Sequence, residues 1–125
     1  MGQFRVLIVD DHELVRRGLK DMLRGTAFEV CGEAENGSQG VERTLELKPD
    51  LVLLDMSMPV MTGLQAAAKI RRQAPATKIV IITMHDSPQM ETEARAAGAD
   101  AYITKMTAAK SLLDAMRGLF QLNGK

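Results

Sequence analysis

Short apolar runs, each followed by a stretch with helical spacing, constrain this chain more than any other feature. Phe4 to Val9 reads FRVLIV, Leu51 to Leu54 reads LVLL and Lys78 to Thr83 reads KIVIIT. Phe28 to Glu33 is a weaker run, and Ala101 to Thr104 is a short fifth one. Brief runs rich in branched apolar side chains form strands. Near-continuous apolar character, rather than alternation, marks strands covered on both faces, as in a parallel sheet. Between the runs the period changes. From Asp11 the spacing of Val15, Leu19, Met22 and Leu23 predicts a helix with one apolar face, stopped at Gly25. Ser38 is expected to open a second helix that carries Val41, Leu45 and Leu47 and stops at Lys48-Pro49. Thr62-Gly63-Leu64-Gln65 fits a capping box, and its helix ends before Pro75. Ser87-Pro88 supplies an N-cap and a proline at the first helical position, for a helix running to Gly98. Thr107 opens the last helix, with Leu112, Leu113, Met116, Leu119 and Phe120 inward. The order is (βα)5, and right-handed crossovers place helices on both faces of the sheet.

The 125 residues suffice for one domain with a core that needs no disulfide or metal. Residues 1–121 read as that domain, and 122–125 as the start of a linker or the end of the piece. Sixteen basic and sixteen acidic residues cancel, so nothing electrostatic draws the chain directly to nucleic acid or an anionic membrane. The single cysteine, Cys31, excludes an internal disulfide and a Cys-based zinc site. It reads as a small core residue in reducing cytosol. No apolar run approaches the roughly 18 residues of a membrane span. No basic segment leads into a secretory signal, so a cytoplasmic location is expected.

In an open parallel sheet, ligands bind outside the carboxyl ends of the strands. The first strand is followed by Asp10 and Asp11, and the third by Asp55. The fourth ends in Thr83, and the fifth is followed by Lys105. Three carboxylates, a hydroxyl and an ammonium thus converge on one edge. Two carboxylates about 4 Å apart repel by roughly 4 kcal/mol at an effective dielectric of 20, so three need cations. Lys105 supplies one charge. A hard divalent cation such as Mg²⁺ supplies the rest and bridges phosphoryl oxygens. A carboxylate so placed can act as a nucleophile toward a phosphoryl donor. Taken singly, Asp10 and Asp11 are equally ordinary helix caps, and Thr83 and Lys105 ordinary surface groups. Their joint placement gives the reading its weight.

VDDH at Val9 to His12, LLDMSMPVMTG at Leu53 to Gly63, ITMHD at Ile82 to Asp86 and AYITK at Ala101 to Lys105 together resemble the receiver domain of bacterial two-component response regulators. The match runs from about residue 4 to residue 121. The DDH and TMHD segments look closest to receivers that precede a NarL/LuxR-type helix-turn-helix. The resemblance implies a flavodoxin-like, doubly wound α/β sandwich with sheet order 2-1-3-4-5. It makes Asp55 the phosphoacceptor. Asp11, Asp55 and the Ser57 backbone carbonyl would ligate Mg²⁺ directly, and Asp10 would act through water. Thr83 would bond a phosphoryl oxygen, Lys105 would pair with the phosphoryl group or with Asp55, and Tyr102 would report Thr83 movement. The partners implied are a sensor histidine kinase, a second copy on phosphorylation, and DNA only through an output domain outside this chain. The chain would be a transcription-regulating switch with only self-directed phosphotransfer and autodephosphorylation, rather than an enzyme. One departure is that Met106, not proline, follows Lys105. A cis bond there would cost roughly 2.5–4 kcal/mol.

Other features read more plainly. His12 and His85 are poor ligands for Mg²⁺, which prefers oxygen. Met56, Met58, Met61, Met84, Met90 and Met106 read as gap-fillers around the loops, some of them exposed for partner contact. Leu14 lies beside the inward set of the first helix and is expected to meet the kinase. A phosphatase of the haloacid-dehalogenase type would want D-x-D where Asp10-Asp11-His12 stands, together with a substrate cap. A flavin binder would want a neutral phosphate loop and stacking aromatics, against an anionic loop and 3% aromatics here. A purely structural interaction domain would not need the convergent charges.

Overall fold

The computed structural model describes residues 3–56, 61–84, 87–104 and 109–121. Five strands and five helices alternate among them: β1 (Phe4–Val9), α1 (Glu13–Leu23), β2 (Phe28–Ala34), α2 (Gly37–Leu47), β3 (Leu51–Asp55), α3 (Gly63–Gln73), β4 (Lys78–Thr83), α4 (Pro88–Ala96), β5 (Ala101–Thr104) and α5 (Ala109–Leu119). The strands form one sheet of order β2-β1-β3-β4-β5, and every pairing is parallel. This is the flavodoxin-like arrangement expected from the sequence.

Side chains alternate across a strand, so each apolar run feeds two cores. Leu7, Val9, Val52, Leu54, Ile79, Ile81 and Tyr102 point to one face, where Ala66, Ala67 and Ile70 of α3 and Ala94 of α4 cover them. Val6, Ile8, Leu51, Leu53, Val80, Ile82 and Ala101 point to the other, under Leu23 of α1 and Leu112 and Met116 of α5. Two-sided cover explains why these strands read as unbroken apolar runs.

Helix ends follow local chemistry. Thr62 and Gln65 form the capping box, with the Thr62 side chain accepting from the Gln65 N–H and the Gln65 side chain from the Thr62 N–H. Ser87 accepts from the Met90 N–H ahead of Pro88. The second helix starts earlier than expected: Asn36, not Ser38, is its N-cap and accepts from the Gln39 N–H at 2.9 Å. The inward face of α2 is also different, because Gly37, Gly40 and Thr44 are buried whereas Leu45 is exposed. Gly40 lets α2 approach Val9 of β1 closely, Gly37 lets it approach Met61, and the Thr44 hydroxyl donates to the Gly40 carbonyl at 2.7 Å. The proposed opening of the last helix by Thr107 lies outside the described residues.

Cys31 is not a core residue. It is half-buried on the edge strand β2. The β1–β2 register passes from Val6↔Val30 to Leu7↔Gly32, which leaves Cys31 as the unpaired residue of a bulge. Burial still pushes its thiol pKa up, which keeps it an inert thiol rather than a thiolate.

Candidate functional site at the carboxyl edge of the sheet

The central strands β1 and β3 are neighbours, with Val9 level with Leu54. Residues just past their ends therefore meet. Asp10 is 2% exposed and Asp55, the last residue of β3, is 5% exposed. One ligand atom each from Asp10, Asp11, His12 and Asp55 falls within 4.8 Å of the others. At that separation, each pair of ionised carboxylates repels by roughly 3–4 kcal/mol at an effective dielectric of 20.

The backbone holds Asp10 from several sides. Its N–H donates to the Ala34 carbonyl at 3.1 Å, tying the loop to β2. Its carboxylate accepts the His12 N–H at 2.8 Å. That bond makes Asp10 a cap for the turn into α1, while His12, the N-cap residue, makes no side-chain cap bond. Asp11 differs: its Oδ1 is buried and, among the described residues, has no hydrogen-bond partner. The His12 ring lies beside it, with Nδ1 3.0 Å from that atom and 3.3 Å from Asp10 Oδ1. His12 thus joins the cluster, a placement its dismissal as a Mg²⁺ ligand did not anticipate. Beside all-oxygen carboxylate donors it is a hydrogen-bonding neighbour.

The floor of the site is rigid. All five residues of β3 are buried. The Met56 N–H donates to Ile82 O, and the Gly63 N–H to Met56 O, both at 2.9 Å, so α3 begins directly against the end of β3. A Cβ on Gly63 would sit 2.3 Å from the Asp55 carbonyl oxygen and 2.7 Å from Met56 Cα. Only glycine permits this approach.

Thr83 ends β4, is buried, and is level with Thr104 of β5. Tyr102 is level with Ile81. Its ring is already inward, 8% exposed and packed with the α3–α4 core. Ser57, Lys105, Met106 and His85, with Met58 among the methionines, lie outside the described residues. Met56 is buried, Met61 and Met90 pack against the core, and Met84 is exposed. Sequence reasoning missed Arg16 and Gly63. The signals available were an arginine one turn into the helix after Asp10-Asp11 and a glycine directly after the Thr62 cap.

The response regulator receiver domain family matches residues 6–117. The chain belongs to that family. Receiver domains are signalling domains that bind Mg²⁺ in an acidic pocket, and this chain gathers Asp10, Asp11 and Asp55 in an acidic cluster. The donors suit a hard cation, being oxygen atoms with one buried lone acceptor on Asp11. The chain is 39% identical over 117 residues to the response regulator GacA of Pseudomonas viridiflava, covering 93% of this chain and 55% of that one. It is 40% identical over 114 residues to the response regulator protein VraR of Staphylococcus aureus (strain Mu3 / ATCC 700698), covering 90% and 54%. It therefore spans about half the length of the curated relatives it matches. The crystal structure of a LuxR-family two-component response regulator from Aurantimonas sp. SI85-9A1 superposes with a TM-score of 0.91 at 30% identity, over 96% of this chain and 86% of that one. Among the described residues no helix is long and apolar enough to cross a membrane.

Proposed function

We propose that this receiver, residues 1–121, is a phosphorylation-dependent switch with Asp55 as its phosphoacceptor. The observation that carries the reading is the gathering of the Asp10, Asp11 and Asp55 carboxylates within 4.8 Å at the edge of a buried sheet. An Asp55 carboxylate oxygen attacks the phosphorus of a phosphohistidine on a sensor histidine kinase. The new O–P bond forms an acyl phosphate as the P–N bond breaks. The electron pair stays on the imidazole, which takes up a proton. Asp11, Asp55 and the Ser57 carbonyl would hold Mg²⁺ directly, with Asp10 acting through water. The bound ion supplies charge neutralisation on the phosphoryl oxygens. The Thr83 hydroxyl donates to one of those oxygens, and Lys105 pairs with the phosphoryl group or, before transfer, with Asp55. Water later cleaves the acyl phosphate, so the chemistry is self-directed and no external substrate is turned over.

The hydrogen bond offered to Thr83 is charge-assisted and worth roughly 1.5–3 kcal/mol. A difference of that size between two states shifts their populations about tenfold to a hundredfold. Thr83 and Tyr102 lie on adjacent strands, so movement of Thr83 repacks the space beside the buried ring and, with it, the face of α4, β5 and α5. That face is the output surface, used for a second copy on phosphorylation and for an output domain that binds DNA in the cytoplasm. Likeness to a LuxR-family regulator, and relatives about twice as long, support the output assignment. The test is acetyl phosphate with and without Mg²⁺. One phosphoryl group should be added, and chelation or Asp55→Asn should abolish it. Label that persists in Asp55→Asn overturns the assignment.

A further inference from the structure

Arg16 lies on the first turn of α1 with only 12% of its side chain exposed, deeply covered for an arginine on a helix surface. Its fork has two targets. Nη1 donates to the Asp10 carbonyl at 2.7 Å, and Nε donates to Glu33 Oε1 on β2 at 2.8 Å. Lys20, one turn further along α1, donates to the other Glu33 oxygen at 2.7 Å. Glu33 therefore works as an anchor on the sheet. The two cations hold its carboxyl below the ordinary range, Lys20 contributing most. The Asp10 carbonyl belongs to the peptide that links Asp10 to Asp11. Its plane sets where the Asp11 side chain leaves the backbone, and Asp11 is the residue whose buried Oδ1 lacks a hydrogen bond among the described residues.

We infer that Arg16 is a positioning residue for the cation site: its guanidinium, braced on Glu33, fixes the Asp10–Asp11 peptide so that the Asp11 carboxylate faces the cluster. The inference rests on the Mg²⁺ site proposed above. Arginine suits the task because a planar fork addresses two acceptors in fixed directions, whereas an ammonium offers one point charge. Partners that orient metal ligands typically change affinity by about 10–100-fold when removed. Arg16 acts through Glu33 and the Asp10 backbone carbonyl, so its loss should weaken ion binding without removing the reaction.

The experiment is an NMR titration of the full chain with Mg²⁺, run beside acetyl phosphate labelling. Arg16→Met should weaken Mg²⁺ binding about tenfold or more, with labelling restored toward the parent rate at saturating Mg²⁺. Lys20→Met removes the other partner of Glu33 but leaves the Asp10 carbonyl contact, and should bind Mg²⁺ like the parent. Arg16→Lys keeps the charge and the stem, loses the fork, and should also bind several-fold more weakly. Dispersed amide spectra establish that each variant is folded. A folded Arg16→Met or Arg16→Lys with parental affinity overturns the inference, as does an equal loss in Lys20→Met. If the parent binds no Mg²⁺, and Asp11→Asn changes nothing, it is the underlying site that fails.

Discussion

Gly63→Ala isolates how the fold positions Asp55, the proposed acceptor. Its new Cβ would stand 2.3 Å from the Asp55 carbonyl oxygen, 2.7 Å from Met56 Cα and 3.0 Å from the Asp55 carbonyl carbon. All three are backbone atoms, so no flexible side chain can yield. Ordinary contact begins near 3.4 Å, so α3 and the end of β3 must separate by about 1 Å. Forced overpacking of this kind costs roughly 1–3 kcal/mol. The intrinsic helix preference of alanine over glycine returns at most about 1 kcal/mol. The net loss is about 1–2 kcal/mol, a fall in Tm of roughly 3–10 °C for a domain of this size. The chemical effect should be larger, because a misplacement of about 1 Å at a reacting group can cost on the order of 100-fold in rate. The assay pairs thermal melting with acetyl phosphate labelling. Gly18→Ala is the control: Gly18 is inside α1, and a Cβ there meets nothing within 4 Å. It should raise stability by about 0.5–1 kcal/mol and leave labelling unchanged. A Gly63→Ala variant that melts and labels like the parent would refute the reasoning.

Three further outcomes follow from the same geometry. Glu33 has its carboxyl pKa lowered from 4.5, chiefly by the Lys20 hydrogen bond. A depressed carboxyl adds stability above its unfolded pKa and loses it as pH falls through the folded value. The Tm gap between parent and Glu33→Gln should therefore be widest near neutral pH and close below about pH 4, and a gap constant from pH 7 to pH 3 contradicts the role of the pair. Leu14 is 77% exposed on α1, beside the site. Leu14→Glu should slow phosphotransfer from the cognate kinase and spare acetyl phosphate labelling, whereas a parallel loss of both points to damage at the site. Thr83→Ala should still accept phosphate, more slowly, but lose the NMR shift changes on the α4 face that phosphorylation produces in the parent; their survival would show that Thr83 does not couple site to surface.

Much of this was legible in the residues because each strand is a short apolar run bounded by strong helix starts. The Thr62–Gln65 box and Ser87-Pro88 fixed two helix starts, since those side chains satisfy backbone donors wherever they occur. The start of α2 was less legible: Asn36 and Ser38 are both good caps, and tertiary packing of Gly37 and Gly40 chose between them. Leu45 fits the helical spacing but faces outward, because close approach to β1 uses glycine and threonine instead. Cys31 looked like core for want of any signal for a bulge on an edge strand. At the site, the convergence of Asp10, Asp11 and Asp55 followed from strand order alone. The contacts of Arg16 with Glu33 and the Asp10 carbonyl did not, because they depend on the distance between α1 and β2. The same holds for Gly63, whose significance is a single backbone approach.

The central claim concerns one carboxylate among three that lie within 4.8 Å of one another. An acyl phosphate on aspartate is reduced by borohydride to homoserine, which marks the modified residue permanently. Chain phosphorylated by acetyl phosphate with Mg²⁺, reduced and digested, should carry homoserine at position 55 and aspartate at positions 10 and 11. Homoserine at Asp10 or Asp11, or none in chain that has taken up phosphate, would contradict the account.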